Sequence, residues 1–488
     1  MHNILSRMQK VFDKPLIIVG GITILGALLR LYHLGYKPLW LDEAVFYWIS
    51  KSSNVQVVIN QNAVTVNTPP LFLLLLHFIM KIGDSEVILR LLPCLGGVAS
   101  IPAIYLLSRQ FIDRFPSYLT ALIVAIAPTQ VEYSQQVREY SLTFLISIII
   151  LTLFFMQVHS PSLKNWVLMT LSMVIGIFLQ YGLALMIIAL NLVCAIMILS
   201  IKHNRKSLLI RWSLAQFIVL SSVVVLYYVS LNKQFRVGLG ATSTSSFLSG
   251  DYWNGSFRSL FSFAVSNTRN IFDFAFPGYV FLFLGLVGFI FILLKKNNIA
   301  IMMFAFPIIL TFILSLPKLY PYNGDRHDIF LTPMIYVLAG FGIRYLLNLD
   351  HLRWVVLPLL LFITYFGFKS NFDYLKYPGV ENIRPVVTAL SKNFETGDKI
   401  YVYYSAKPAF TYYYRDNIES QIYGISSRGD PNKYYQEIDK LLLTYNRIWL
   451  VFSHCYSNEC ELIPKYVSEK HRVDLIASDN GTWLYIVH

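Results

Sequence analysis

Long apolar segments recur along most of the chain, and short polar turns separate them. An apolar segment of about 20 residues is long enough to cross a bilayer as a helix. We therefore predict about eleven transmembrane helices, at residues 15–34, 86–108, 116–133, 137–158, 166–180, 182–201, 212–230, 278–294, 299–316, 327–347 and 354–368. This pattern predicts a polytopic α-helical membrane protein.

Residues 68–83 carry a further apolar run whose length leaves two interpretations. Pro69-Pro70 is a favourable helix start, but the run as far as Ile82 is short for a membrane crossing. We interpret it as an interfacial helix on the outer face. If it crossed the membrane instead, every later loop would change sides.

Basic residues favour the interfacial interpretation, because cytoplasmic loops of membrane proteins retain Lys and Arg. Arg7, Lys10 and Lys14 precede the first apolar segment, so we expect a cytoplasmic N-terminus. With residues 68–83 outside, the other dense basic clusters also fall on the cytoplasmic side. The C-terminus and a long loop at residues 231–277 are then extracytoplasmic.

The last part of the chain loses the long apolar runs and gains charge. Its patterns predict helices at residues 382–393 and 431–445 and strands at residues 399–404 and 447–453. We therefore divide the chain into a membrane domain, residues 1–370, and a soluble extracytoplasmic α/β domain, residues 371–488. Cys455 and Cys460 lie in the latter, where a disulfide and two free thiols both remain open.

Composition agrees with a membrane protein, since 56% of the residues are hydrophobic, 14% are charged, and the mean hydropathy is +0.54. The formal charge of +13 is better explained by cytoplasmic loops than by nucleic-acid binding. The four cysteines show no metal-site spacing, and we assign no metal.

Asp42 and Glu43 form the first of several polar clusters on the predicted outer side. They follow the first apolar segment directly. Spacing alone favours a structural role at the start of an interfacial helix. The functional alternative is a general base or a metal ligand beside the membrane.

Other polar clusters lie on the same predicted side, and some carry charge into the ends of apolar segments, where charge often marks function. They are residues 67–70 with His77, residues 132–140, Gln180-Tyr181, and residues 320–328. His77 and the residues 67–70 have simple structural explanations. Together, however, the clusters indicate an outward-facing active site at the bilayer boundary, which suits a substrate with a membrane-embedded tail.

These polar clusters resemble motifs of the GT-C membrane glycosyltransferases. Over roughly its first 370 residues the chain is similar to glycosyltransferase family 39, which includes protein O-mannosyltransferases and relatives of the aminoarabinose lipid A transferase. The matching motifs, in order, are residues 41–44 (LDEA), 67–71 (NTPPL), 83–86 (GDSE), 89–93 (LRLLP), 134–140 (SQQVREY) and Arg326. The similarity to prokaryotic members leads us to expect a prokaryotic plasma-membrane protein.

The resemblance implies a GT-C-like fold and transfer of a hexose or pentose from a polyprenyl-phosphate donor, dolichyl- or undecaprenyl-linked. The acceptor would be a glycan, lipid or protein outside the membrane. Such a displacement needs a base for the acceptor and cations for the leaving phosphate. We assign Asp42 as the base with Glu43 beside it, and substrate binding to Arg138, Glu139, Tyr140, Tyr181, Arg326 and His327, the two arginines contacting phosphate.

Three departures limit the resemblance. Gln136 stands where many members have Glu, and Thr68-Pro69 replaces the Lys-Pro of the aminoarabinose transferase branch, so lipid A is not the acceptor we assign. His327 stands where the family's Arg-Tyr motif has Tyr. No cofactor is required by these residues, although a divalent cation at the acid pair stays open.

Two other function classes compete with the transferase. A flippase or transporter for lipid-linked sugars would be expected to show broken helices, mid-membrane charges and often internal repeats. A polysaccharide polymerase or ligase would use the same lipids. The acid pair after the first apolar segment favours the transferase.

Overall fold

The computed structural model describes residues 14–200, 205–239, 248–427 and 429–488. These residues are mostly helical, with one five-stranded sheet late in the chain. The chain divides into two compact units. We call the described residues within 1–32, 53–79 and 90–374 the membrane unit, and those within 33–52, 80–89 and 375–488 the sheet unit.

The helices up to residue 376 alternate with short turns, as the apolar pattern predicted. In chain order they are α1 (Pro15–Leu31), α2 (Leu41–Ser50), α3 (Val55–Thr65), α4 (Leu71–Ile79), α5 (Glu86–Arg109), α6 (Arg114–Ile126), α7 (Pro128–Ser134), α8 (Tyr140–His159), α9 (Leu163–Leu179), α10 (Gly182–Ser200), α11 (Arg205–Leu226), α12 (Asn232–Arg236), α13 (Phe257–Ala275), α14 (Tyr279–Leu294), α15 (Asn298–Ser315), α16 (Thr332–Leu347) and α17 (Val356–Lys376).

These helices make the chain an integral membrane protein. Among the described residues, seven helices are long and apolar enough to cross a bilayer, or eight if α13 and α14, which meet at a bend of 107°, count as one span. Three shorter apolar helices, α1, α6 and α9, coincide with further predicted crossings. The polytopic helical fold is thus confirmed, while the number of about eleven spans stays a prediction.

Two segments differ from the predicted pattern. Residues 116–133 are two helices rather than one, because Pro128 starts α7 and leaves Ala127 extended, with φ −62° and ψ 122°. The predicted outer loop at residues 231–277 contains α12 and the 19-residue α13. Polar and charged side chains recur along α13, and they lower the mean hydropathy that marks a crossing.

Residues 68–83 form only the nine-residue α4. At about 1.5 Å per residue, this helix is about 14 Å long, whereas the bilayer's apolar core is about 30 Å thick. Its length fits the interfacial interpretation and not a complete crossing.

Helices α14 and α16 pack backbone to backbone through small residues. A Cβ on Gly288 would lie 1.8 Å from the Leu338 carbonyl oxygen, and one on Gly342 would lie 2.1 Å from the Leu284 carbonyl oxygen. Small residues allow this close approach between membrane helices. Phe144, Phe281 and other fully buried side chains continue the core around this contact.

The sheet unit ends in the α/β fold that the tail pattern predicted. Its elements are α18 (Arg384–Asn393), β1 (Lys399–Val402), α19 (Lys407–Tyr413), β2 (Gln421–Tyr423), α20 (Pro431–Leu442), β3 (Ile448–Ser453), α21 (Glu459–Ser468), β4 (Val473–Asp479) and β5 (Thr482–Val487). The strand order is β2-β1-β3-β5-β4. Strands β2, β1 and β3 are parallel, and β5 runs antiparallel to β3 and β4.

The predicted helices and strands of this tail are confirmed, with ends shifted by a few residues. Strand β3 is buried along its whole length, which explains its clear apolar run. The β4–β5 hairpin escaped prediction because β4, at the sheet edge, has a mostly exposed or half-buried pattern. Cys455 and Cys460 form a disulfide, which settles the alternative left open by the sequence.

Candidate active site

The turn between α6 and α8 carries three of the predicted substrate-binding residues, and it is built on the break at Pro128. Helix α6 ends there with backbone carbonyls that have no partner within the helix. The guanidinium of Arg30, in α1, donates to the carbonyl oxygens of Val124 at 3.1 Å and Ala125 at 2.8 Å. A fully buried arginine thus closes the end of α6.

The same arginine and its neighbours hold the turn itself. Arg30 Nε donates to Ser134 Oγ at 3.2 Å. The Gln135 side-chain amide donates to the carbonyl oxygens of Arg30 at 3.0 Å and Tyr32 at 2.8 Å. These bonds to the end of α1 fix the backbone immediately before Arg138.

Arg138, Glu139 and Tyr140 lie together at the start of α8. Arg138 Nε lies 3.3 Å from Glu139 Oε2, and both side chains are almost completely buried. The guanidinium stacks on the Tyr140 ring at 4.9 Å from its centre. A buried ion pair contributes little net stability once desolvation is included.

A second turn with predicted substrate-binding residues lies at residues 320–331 and contains Arg326 and His327. Asp325 accepts from the His327 backbone N–H at 2.8 Å, and its carboxylate lies 2.8 Å from His327 Nδ1. Asp328 is fully buried and accepts from the backbone N–H groups of Asn323 and Gly324 at 3.0 and 2.8 Å. The loop is therefore rigid, while Arg326 and His327 remain partly exposed.

Asp325 is an ion-pair partner rather than a base. Burial alone would raise its pKa, but the hydrogen bonds and charge of His327, with the charge of Arg326, lower it below its ordinary value. The carboxylate is thus held in its ionised form. It orients the His327 ring and balances the positive charge of this turn.

The fold brings these two turns together. Helix α8 packs against residues 326–331. Tyr133, whose ring meets the Tyr140 ring edge-on at 4.8 Å, lies within electrostatic range of Asp325 and Arg326. Tyr320 of the second turn has its pKa raised by burial and by nearby acids, with Tyr140 among the contributing groups. Five of the six predicted substrate-binding residues therefore belong to one cluster: Arg138, Glu139, Tyr140, Arg326 and His327.

Tyr181, the sixth, has a different set of contacts. Its hydroxyl donates to Gln234 Oε1 at 2.6 Å, and burial raises its pKa. Gln234 in turn donates to the carbonyl oxygens of Val66 and Thr68, both at 3.0 Å. The preceding Gln180, however, donates to the Arg326 carbonyl oxygen at 3.3 Å. Tyr181 thus connects the loop before α4 with the border of the cluster.

Asp42 and Glu43 belong to the sheet unit, in the first turn of α2. Asp42 is half-buried and Glu43 is buried. The N-cap position is Trp40, so neither acid occupies the cap itself. Acids in a first turn are nevertheless favourable there, because the helix N-terminus carries partial positive charge.

Several polar residues of these surroundings were not singled out from the sequence. Arg30 had a signal, namely a charge at the end of an apolar run. Gln234 and Asp251 both lie within the long predicted loop, where no local pattern marks them. Asp251 Oδ1 accepts from the Asn323 side-chain amide of the Arg326 turn at 2.7 Å. Among the described residues, no group of three or more His, Cys, Asp or Glu side chains is arranged to hold a metal ion.

Comparison with known proteins supports the GT-C resemblance. Residues 67–228, about a third of the chain, match the sequence model of the family described as dolichyl-phosphate-mannose-protein mannosyltransferase. No curated protein is significantly similar to the chain in sequence.

Solved structures show the fold. ArnT from Cupriavidus metallidurans in the apo state is 13% identical with a TM-score of 0.58, over 96% of this chain and 97% of that one. The same protein bound to undecaprenyl phosphate is 13% identical with a TM-score of 0.55, again over 96% of this chain and 97% of that one. A third structure is the oligosaccharyltransferase AglB of Archaeoglobus fulgidus in complex with an inhibitory peptide and a dolichol-phosphate. It is 13% identical with a TM-score of 0.53, over 96% of this chain and 74% of that one. The resemblance inferred from the motifs is confirmed at the level of the fold.

Proposed function

We propose that this chain, which has the fold of the GT-C membrane glycosyltransferases, transfers a sugar from a polyprenyl-phosphate donor to an acceptor on the outer face of the membrane. The donor would be dolichyl- or undecaprenyl-linked, and the acceptor a glycan, a lipid or a protein. Structures with this fold include one bound to undecaprenyl phosphate and one bound to a dolichol-phosphate. They support a lipid-phosphate ligand for this chain as well.

The observation that carries the proposal is the meeting of two arginine-bearing turns in the membrane unit. Arg138 lies two residues before the start of α8, and Arg326 begins the short 3-10 helix Arg326–Leu331 that leads into α16. Helix α8 packs on this turn of Arg326. Guanidinium groups bind phosphate oxygens with two parallel hydrogen bonds. A substrate with a phosphate at the bilayer boundary and a tail in the bilayer matches this arrangement.

The proposed reaction is a direct displacement at the sugar carbon. The acceptor oxygen forms the new glycosidic bond, the bond from the sugar carbon to the phosphate oxygen breaks, and the polyprenyl phosphate leaves. Asp42 takes the acceptor proton as general base, and Glu43 supports it. Arg138 and Arg326 stabilise the charge on the departing phosphate.

The other predicted residues have supporting roles in this proposal. Glu139 holds the Arg138 guanidinium, and Tyr140 stacks on it. His327 is oriented by Asp325, and Tyr181 supports the adjoining loop. The division into a membrane catalytic domain, residues 1–370, and an outer α/β domain, residues 371–488, with a cytoplasmic N-terminus, belongs to the same proposal.

A sugar-transfer assay tests the base assignment. The purified full chain, in lipid nanodiscs, would be incubated with a panel of polyprenyl phosphates that carry labelled hexoses or pentoses, and release of polyprenyl phosphate would be measured. We expect Asp42→Asn to lose at least about 100-fold in rate, since general base catalysis contributes about 10²–10⁴-fold. Asp350→Asn, whose side chain is 99% exposed, is the matched control. Full activity of Asp42→Asn would end its assignment as the base.

The arginine assignment needs a second pair of variants. Arg326→Gln should weaken donor binding and slow transfer, whereas Arg353→Gln, with a half-exposed side chain in a different turn, should leave both unchanged. Transbilayer movement of the lipid-linked sugar without any transfer would support the flippase instead. Growth of a repeating glycan from the lipid would support the polymerase.

A further inference from the structure

Helix α2, which carries Asp42 and Glu43, begins without a cap from its own sequence. Its N-cap residue is Trp40, which provides no side-chain hydrogen bond to the first turn. The indole ring has a donor but no acceptor for a backbone N–H. The first N–H groups of a helix find their partners outside it, in other side chains or in water.

Glu381 supplies such a partner. Its Oε2 accepts from the backbone N–H of Leu41, the first residue of α2, at 3.2 Å. The same oxygen accepts from Ser453 Oγ at 3.3 Å, and Oε1 is paired with Nδ1 of His454. Glu381 is only 5% exposed, so its carboxylate has little water to replace these contacts.

The segment around Glu381 is itself fixed by the β4–β5 hairpin. The Asn382 N–H donates to the Asn480 carbonyl oxygen at 2.9 Å, and the Asn382 side-chain amide donates to Asp479 Oδ2 at 2.7 Å. Thr482 Oγ1 donates to the Asn382 carbonyl oxygen at 2.9 Å. Gly481, with φ +62°, makes the tight turn that presents these groups. Glu381 therefore projects from a rigid support.

A second contact holds the approach to α2. The Leu39 N–H donates to the Tyr413 hydroxyl at 2.8 Å, and that hydroxyl donates to Glu86 Oε1 at 3.0 Å. Helix α19, which ends at Tyr413, packs along α2. Both backbone N–H groups that flank Trp40 are thus held by side chains more than 300 positions later in the chain.

We propose that Glu381 is a positioning residue, which caps α2 from the sheet unit and thereby sets the place of the Asp42 carboxylate. Asp42 directly follows the capped residue, Leu41, so a shift of the first turn moves the carboxylate with it. This inference rests on the proposed function, in which Asp42 is the base. It assigns the late α/β part of the chain a structural share in catalysis.

Two substitutions separate position from charge. Glu381→Gln keeps the length and an acceptor oxygen but loses the charge. Glu381→Asp keeps the charge but withdraws the carboxylate by one methylene, out of reach of the Leu41 N–H. We expect Glu381→Asp to lower kcat about 10-fold or more with KM for the donor changed less than about 2-fold, since misplacement of a catalytic group by about 1 Å can reduce rate about 100-fold. Glu381→Gln should stay within about 3-fold of wild type.

Glu461, an exposed acid that lines the same surface pocket as Glu381, gives the matched control. Glu461→Asp should leave kcat and KM unchanged. The proposal is overturned if Glu381→Asp has the kcat of Glu461→Asp. It is also overturned if Glu381→Gln loses as much as Glu381→Asp, since charge would then matter more than reach.

Amide hydrogen exchange gives a measurement that needs no substrate. In Glu381→Asp, the amides of residues 41–46 should exchange about five-fold faster than in wild type, as expected for the loss of a helix cap, while those of α20 stay unchanged. If the exchange rate of the amides at residues 41–46 did not change, the capping role of Glu381 would be refuted. If Asp42→Asn kept full activity while this exchange still rose, the proposed base would fail and the cap would stand. If Asp42→Asn lost activity while Glu381→Asp kept the wild-type kcat and exchange rates, the proposed base would stand and the capping role would fail.

Discussion

Substitution of Arg30 by methionine tests how the turn beneath the proposed phosphate site is held. Arg30 is fully buried, and its guanidinium donates to Val124 O, Ala125 O and Ser134 Oγ, on either side of the break at Pro128. Methionine has nearly the same length and fills most of the space. The substitution therefore removes the three long-range hydrogen bonds without leaving a large cavity.

The size of the effect follows from these three bonds. Hydrogen bonds to a charged group contribute about 1.5–3 kcal/mol each in soluble proteins, whereas polar contacts between membrane helices average about 0.6 kcal/mol. At the lower value of about 0.6 kcal/mol per bond, three bonds contribute about 2 kcal/mol to the free energy of unfolding. Removal of the buried charge offsets part of the upper value, so we expect about 2–4 kcal/mol of lost stability. With an unfolding entropy of about 2.1 cal/mol/K per residue, a chain of 488 residues changes its unfolding temperature by about 1 °C per kcal/mol, so this temperature should fall by about 2–4 °C.

Thermal unfolding in detergent, followed with a thiol-reactive dye, measures this change. Cys94 is fully buried in the membrane unit and becomes reactive on unfolding. Arg258→Met is the control, because Arg258 is exposed on α13. Arg30→Lys keeps the charge with fewer donors and should fall between wild type and Arg30→Met. The reasoning is refuted if Arg30→Met unfolds within about 1 °C of Arg258→Met, since about 2 kcal/mol could not then be lost.

Two further predictions concern the packing and the charges of the membrane unit. Gly288→Ala should lower the unfolding temperature by several degrees, because the new Cβ would lie 1.8 Å from the Leu338 carbonyl oxygen; Gly20→Ala, whose Cβ meets no atom within 4 Å, should not lower it, and equal effects would refute the contact. The folded-state pKa of Asp325 lies below its ordinary value of 3.8, so the folded state binds fewer protons than the unfolded state near that pH. Its stabilisation is present above pH 3.8 and is lost as pH falls through the lowered pKa. The difference in unfolding temperature between wild type and Asp325→Asn, measured in nanodiscs, should therefore shrink below pH 4, and a constant difference would contradict the ion pair.

Apolar periodicity was sufficient for most of the membrane helices because it is a local property of the sequence. It failed at Pro128, where one proline divides an otherwise continuous apolar run into α6 and α7. It also failed at α13, whose polar side chains recur along an otherwise apolar helix. In both places, the length and average hydropathy of a segment carried less information than the position of single residues.

The candidate site shows the same contrast between local and distant contacts. The Arg138–Glu139 and Asp325–His327 pairs are one or two residues apart, so the sequence already placed these partners together. The hydrogen bonds that fix their turns come from Arg30, which is 104 positions from Ser134, and from Gln180, which is 146 positions from Arg326. No spacing rule predicts such pairs, because they depend on which helices pack side by side.

The grouping of residues 33–52 with residues 375–488 changes how the late part of the chain should be regarded. Composition divides the chain near residue 370, since apolar crossings end there. Contacts instead place α2 in the sheet unit, where Glu381 caps it and Arg384 pairs with Glu86 at 2.6 Å. At the other end of α2, the Tyr47 hydroxyl donates to Asp84 Oδ2 at 3.1 Å, and Asp84 is also paired with Arg415. A chain ending at residue 370 would keep Asp42 but lose these partners from residue 381 onward, so the contacts at both ends of α2 depend on the late part of the chain.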